Sequence, residues 1–224
     1  MTTLDGALLR LAEVLAWVEA DLADNCGFCY TEEDAVLLAG PVGAIPRDLL
    51  LRAAFEGPDH WGDFVNLYRK LTPRIMALLV YDDLHVNEEL IASHLVEAGC
   101  WTTWADDERD AVLAVCREWW SDTLASFPRT PDAHVVVSFL ATTPVPLTHW
   151  LDVWNAQPSG PADLHAQELF RWWWDELLNG ELTVGWSGMI NVTADIKRWV
   201  LTDARLRISG DPELVEFLEM VENA

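Results

Sequence analysis

Apolar side chains recur about once per helical turn along most of the chain. Leu4, Leu8, Leu11, Leu15, Val18 and Leu22 step by 4, 3, 4, 3 and 4 residues, which lines one face and predicts a long first helix. The same steps fit a coiled-coil seam, but they stop at Asn25, so a packed terminal helix is the better reading. Thr31-Glu-Glu-Asp34 resembles a capping box with Asp at its last position. It opens a short helix that Gly40-Pro41 closes. Pro46 suits the first position of another, carrying Leu49, Leu50, Ala53 and Phe55 as far as the break at Gly57-Pro58-Asp59. Phe64, Leu67, Tyr68, Leu71, Ile75, Leu78 and Leu79 make the next stripe. Thr72-Pro73 in its middle predicts a kink, or a restart capped by Thr72.

Asn87 reads as the cap of the following helix and Gly99 as its left-handed terminator. A long helix is expected from about Asp106 to Ser126, with Trp119 and Trp120 on its inner side. The stretch from His134 to Leu140 has strand-like composition, because Val135, Val136 and Val137 are β-branched. A lone strand would lack a partner, Asp132 can cap a helix and Pro144 can end it, so a helix is predicted. Leu147, Trp150, Leu151 and Trp154 form a short amphipathic element. Pro161 opens a long helix that ends at Asn179-Gly180. A connector with Gly185, Trp186 and Gly188 then leads to two closing helices, the last capped by Asp211 ahead of Pro212.

The fold class is therefore all-α, one helical domain over residues 1–224, packed as a multi-helix bundle or a short α-solenoid of HEAT-like hairpins. The solenoid alternative rests on Arg117-Glu-Trp-Trp-Ser-Asp-Thr-Leu124, which matches Arg171-Trp-Trp-Trp-Asp-Glu-Leu-Leu178 at an offset of 54 residues. That period exceeds the roughly 40–47 residues of HEAT and armadillo repeats. Two inner helices facing the same apolar centre would explain the match equally well.

Charge narrows the function classes. Thirty-seven acidic residues against 14 basic ones give a formal net charge of −23. Such a field repels phosphates and anionic headgroups, so no nucleic-acid or membrane partner is expected. The basic spots, Arg69-Lys70 with Arg74, Lys197-Arg198, and Arg205 with Arg207, are small and interleaved with apolar residues. Solubility explains the charge first, and a basic partner or a metal cation second. No run approaches the roughly 18 apolar residues of a membrane span, and no secretory signal is read at the N-terminus. Both point to the cytoplasm, where disulfides are not expected to hold a fold.

Cys26-Gly-Phe-Cys29 is the one motif with chemical spacing. Two thiolates three residues apart can grip a tetrahedral metal such as zinc, or form a redox dithiol if the dipole of a helix N-terminus activates the first. The bland reading makes both cysteines small, buried or partly buried hydrophobes. A structural zinc site needs two more ligands, for which His60, Cys100 and Cys116 are the candidates. His85, His94, His134, His149 and His165 show no metal-ligand spacing. The acidic cluster from Asp106 to Asp110 and the Asp82-Asp83 pair read as solvated ends and turns, and Gly185-Trp-Ser-Gly188 is no nucleophile elbow.

Ten of the thirteen tryptophans fall between 101 and 186, and most should be core. Successive helical residues turn by about 100°, so Trp172, Trp173 and Trp174 cannot all face inward. Trp172 is expected at a boundary or interface, since the other two align with Trp119-Trp120. Three landmarks together resemble a group of uncharacterised bacterial all-helical proteins of similar size: Cys26-x-x-Cys29-Tyr30 after a first helix, Trp101 and Trp104 leading into Trp119-Trp120, and Trp199-Val-Leu-Thr-Asp. The resemblance implies helical organisation and carries no activity or functional residue. The leading expectation is a non-enzymatic interaction or scaffold domain, with a protein partner or self-association through Trp172. The alternative is a metal-binding or thiol-dependent protein, enzymatic or not, centred on Cys26 and Cys29.

Overall fold

A computed structural model describes residues 3–81 and 88–224, with Ser187 described by its backbone alone. Among the described residues, twelve α-helices and one pair of two-residue strands carry the chain. The fold is all-α. The expected cap Asn87, the Asp82-Asp83 turn and His85 lie outside the described residues. Two compact units form, residues 1–118 and 119–224. No helix among the described residues is long and apolar enough to cross a membrane.

The first unit contains α1 (Leu4–Val14), α2 (Glu32–Ala39), α3 (Arg47–Phe55), α4 (Phe64–Val80), α5 (Glu88–Glu97) and the first part of α6 (Asp106–Ala125). Its central helix is α4, which packs against α1, α3 and α5. The long first helix of the sequence reading is cut short, since Val18 and Leu22 lie beyond its end at Val14. Its last turn holds no basic residue, and extension would stack Glu19, Asp21 and Asp24 on the negative end of the dipole. The helix does not restart at Thr72. α4 runs through Pro73, and the Thr72 hydroxyl donates back to the Tyr68 carbonyl at 2.8 Å. The capping box of α2 forms, with Thr31 Oγ1 accepting from the Asp34 N–H and Asp34 Oδ2 from the Thr31 N–H, both at 3.1 Å. Glu108 corrects the solvated reading of the acidic cluster. It is buried, takes Arg69 Nε at 3.1 Å, and caps the Ala105 N–H at 3.0 Å.

The second unit continues α6 and adds α7 (Ala133–Leu140), α8 (Leu147–Asn155), α9 (Pro161–Asn179), β1 (Thr183–Val184), β2 (Ile190–Asn191), α10 (Thr193–Leu201), α11 (Arg205–Ile208) and α12 (Pro212–Asn223). Here α9 is central, touching α7, α10, α11 and α12. The three-valine run is helical. The Gly-containing connector pairs as a small antiparallel hairpin, β1 on β2, and three helices rather than two close the chain because α11 interrupts them.

Tryptophan fills this second core. Trp120 stands edge-on to Trp154 with ring centroids 5.2 Å apart, and Trp154 lies 4.6 Å from Trp199. Their indole N–H groups are satisfied: Trp120 donates to Trp150 O (2.9 Å), Trp154 to Ala162 O (2.9 Å) and Trp199 to Asn155 Oδ1 (2.7 Å). Buried indoles without such acceptors would forfeit hydrogen-bond energy. The 54-residue sequence match carries through to burial in part, with Trp119 and its counterpart Trp173 both buried. Trp119, Trp120 and Leu124 are buried, whereas Trp174 and Leu178, opposite Trp120 and Leu124 in the match, are only partly so. Several of the basic residues are committed internally: Lys70 donates to Ala39 O, Arg74 to Val42 O, and Arg207 to the Asn155 and Gln157 carbonyls.

Gly99 ends α5 in the left-handed region at φ 73°. Cys100 N–H reaches Leu95 O and Gly99 N–H reaches Val96 O, both at 2.9 Å, closing a Schellman motif. A methyl at Gly99 would also run into Thr103 Oγ1. Gly99→Ala is expected to destabilise by about 1–3 kcal/mol, read as a lower urea midpoint. Gly43→Ala, where an added methyl meets nothing within 4 Å, should stay within about 0.5 kcal/mol of the parent.

Candidate metal centre

The Cys-x-x-Cys segment is held by a partner far along the chain. After α3 ends, Gly57-Pro58 turns the backbone into a single 3₁₀ turn, Pro58–His60. The following residues meet 24–26 in antiparallel fashion. Cys26 N–H donates to His60 O at 2.9 Å and Gly62 N–H to Asp24 O at 2.8 Å, with Asn25 facing Trp61 in an isolated bridge. Cys26 O then accepts from the N–H groups of Cys29 (2.9 Å) and Tyr30 (3.0 Å). That tight reversal over Gly27-Phe28 puts both sulfurs together, 3.3 Å apart. Behind them Tyr30 and Trp61 are buried with ring centroids 4.2 Å apart, and Arg52 lies 5.4 Å from the Tyr30 ring centre.

Cys26 Sγ, Cys29 Sγ and a ring nitrogen of His60 lie within 4.8 Å of one another, all on half-buried residues. This group could hold a metal. His60 Nε2 faces Glu56 Oε2 at 3.1 Å and Asp59 Oδ1 at 3.8 Å. Its Nδ1 is buried and has no hydrogen-bond partner, so Nδ1 is the nitrogen left for a ligand. A carboxylate fixing the far side of an imidazole is a common second support of a metal-bound histidine.

The two thiols are unequal. Cys26 is pulled down to about 7, first by hydrogen bonding to the Cys29 side chain, then by the backbone N–H groups of Cys29 and Phe28, and by His60. Cys29 is pushed up, because a charge on it would give up the contact with Cys26 and would face Glu56 and Asp59. His60 is raised by its contact with Cys26 and by Glu56 and Asp59, against its desolvation. The contact favours the charged form of each group.

The structure thus joins His60 to the pair that the sequence singled out and leaves the other candidates elsewhere. Cys100 and Cys116 are fully buried, and burial pushes both thiols up, Cys116 to about 12. His165 Nε2 donates to Ser126 O at 2.8 Å, and His94 contacts Ala54 O at 3.1 Å. Among the described residues no other histidine, cysteine and carboxylate group has metal-ligand spacing. Trp172 is 58% exposed, its ring 5.0 Å from that of His134. Trp173 is buried, and Trp174 stacks on Phe217. Sequence reasoning missed Glu56 and Asp59. Glu56 lies four residues before His60, but Gly57-Pro58 breaks the helix on which that spacing would have meant a shared face. It also missed Phe28, 99% exposed at the tip between the two cysteines.

Comparison with known protein families, curated proteins and solved structures finds no match to this chain.

The inequality of the thiols is open to measurement. In chelator-treated protein, the alkylation rate of Cys26 by iodoacetamide should be half-maximal near pH 7, with Cys29 reacting only above the usual thiol range. His60→Ala should move the Cys26 profile to higher pH. Peptide mapping that finds both cysteines labelled in parallel, with one profile near pH 9, would contradict the assigned asymmetry.

Proposed function

We propose that this is a metal-binding protein whose centre is Cys26, Cys29 and His60 Nδ1, with zinc as the metal and Glu56 orienting the histidine. The observation that carries the reading is the convergence of the sulfurs of two half-buried cysteines and a ring nitrogen of His60 within 4.8 Å, together with a buried His60 Nδ1 that has no hydrogen-bond partner. Two thiolates and an imidazole suit a borderline-soft cation and not magnesium or calcium, which prefer oxygen. Tetrahedral zinc with bonds of about 2.3 Å to sulfur sets the two sulfurs about 3.8 Å apart. The observed 3.3 Å needs only about half an ångström of spreading, less than the closure a disulfide needs. Three protein ligands leave a fourth position for water or an outside donor, unlike the closed four-ligand set of structural zinc.

A second reading keeps the interaction module, with Trp172 as its contact. The exposure of that ring supports it. Exposure alone specifies no partner, so the metal centre is preferred.

Zinc analysis after gel filtration should find one zinc per chain, and Cys26→Ser or Cys29→Ser should abolish it while the helical circular dichroism is retained. Glu56→Gln should weaken zinc by about 10–100-fold in competition with a chromophoric chelator. Protein that stays zinc-free after loading, with its fold intact, would end the metal reading. Unchanged affinity in Glu56→Gln would end the role given to Glu56.

A further inference from the structure

The cysteine pair is built to close as well as to bind. The sulfurs are already in contact at 3.3 Å, and a disulfide of about 2.05 Å asks them to approach by about 1.3 Å. Nothing in the core has to move for that. An added methyl on Gly27 would meet no atom within 4 Å, and Phe28 is 99% exposed, so the two residues between the cysteines pack on little. The segment is anchored on its N-terminal side by the Cys26–His60 and Gly62–Asp24 backbone hydrogen bonds, and on its C-terminal side by the Thr31 cap of α2. Closure is confined to the turn. The other two thiols, Cys100 and Cys116, are 0% exposed and out of reach of an oxidant, so reactivity is directed to one pair.

We propose that Cys26 and Cys29 are an oxidisable pair, converted by a hydroperoxide to an intramolecular disulfide, and that this conversion expels the metal. The inference rests on the metal reading above for its second half alone. In the first step the Cys26 sulfur attacks one oxygen of hydrogen peroxide. The O–O bond breaks, a sulfenic acid forms, and the departing hydroxide takes a proton to become water. In the second, the Cys29 thiolate attacks the Cys26 sulfur. The S–O bond breaks, the S–S bond forms, and the second hydroxide leaves as water with another proton. Two thiolates, one peroxide and two protons give one disulfide and two waters, with two electrons passing from sulfur to oxygen. The zinc does not change oxidation state. It loses both anionic ligands, and His60 alone cannot retain it.

The test titrates zinc-loaded full-length protein with hydrogen peroxide while a chromophoric chelator reports free zinc and mass spectrometry reads the peptides. The expected result is zinc release in step with a 2 Da loss (two hydrogens, set by the disulfide stoichiometry) from the peptide joining Cys26 and Cys29, reversed by a dithiol reductant. Cys100 and Cys116 should stay reduced, and Cys29→Ser should yield sulfenic acid at Cys26 with no disulfide. Retention of zinc with both thiols reduced under excess peroxide would overturn the proposal. So would oxidation of the two cysteines separately to sulfinic acids. If the protein never loads zinc, the metal reading falls and takes the expulsion with it. The same mass measurement on metal-free protein then decides the disulfide: its formation upholds the oxidisable pair, and its absence removes it.

Discussion

Two backbone hydrogen bonds, Cys26 N–H to His60 O and Gly62 N–H to Asp24 O, tie together two loops that are separate in sequence. All the chemistry of the first unit depends on that clasp. Closing so long a loop costs chain entropy, and one isolated bridge returns little, since a backbone hydrogen bond is worth about 0.5–1.5 kcal/mol net. The remainder comes from burial directly beneath it. Tyr30 and Trp61 are each one residue from a candidate ligand and pack on one another at the floor. Aromatic burial thus holds the sulfurs and the imidazole in place, and the three candidate ligand residues stay half-exposed.

The same principle operates in the second unit, where the described residues hold no candidate metal-ligand group. Trp120, Trp154 and Trp199 interlock and direct each indole N–H to an oxygen. The unusual tryptophan content is therefore largely a packing device there, and Trp172 is the one of the triplet left outward. Tryptophan can be the major core residue of a small helical unit because each ring buries a large area; Trp119, fully buried with no acceptor for its indole N–H, shows that the area can outweigh an unpaired donor.

Most helices were legible because their signals are local. The Thr31 cap, the Gly99 and Gly180 terminators and the Asp211 cap act within a turn of the residues they stabilise, and each forms as read. What the sequence could not show is where tertiary contact overrides periodicity. The heptad-like run of leucines extends past Val14, but the acids after it end the helix, and Leu15 and Leu22 reach the core from irregular chain. Glu108 looks like one more solvated acid until Arg69, distant in sequence, is seen beside it. The site divides in the same way. The cysteine pair is a local motif and was visible, and His60 was one of three named candidates. Choosing among them needed the clasp, which no periodicity encodes.

The spacing of the two sulfurs links these observations. At 3.3 Å they lie between the about 2.05 Å of a disulfide and the about 3.8 Å of a tetrahedral zinc site. A turn packed firmly on both sides would enforce one of those distances and forbid the other. This turn is fixed at its ends and free at its tip, where a methyl added to Gly27 would meet nothing within 4 Å and Phe28 projects into solvent. The clasp sets which three groups converge, and the loose tip leaves their separation adjustable. On the proposed reading, binding and release of the metal then differ by a movement of about two ångströms within a single turn, with the aromatic floor unchanged.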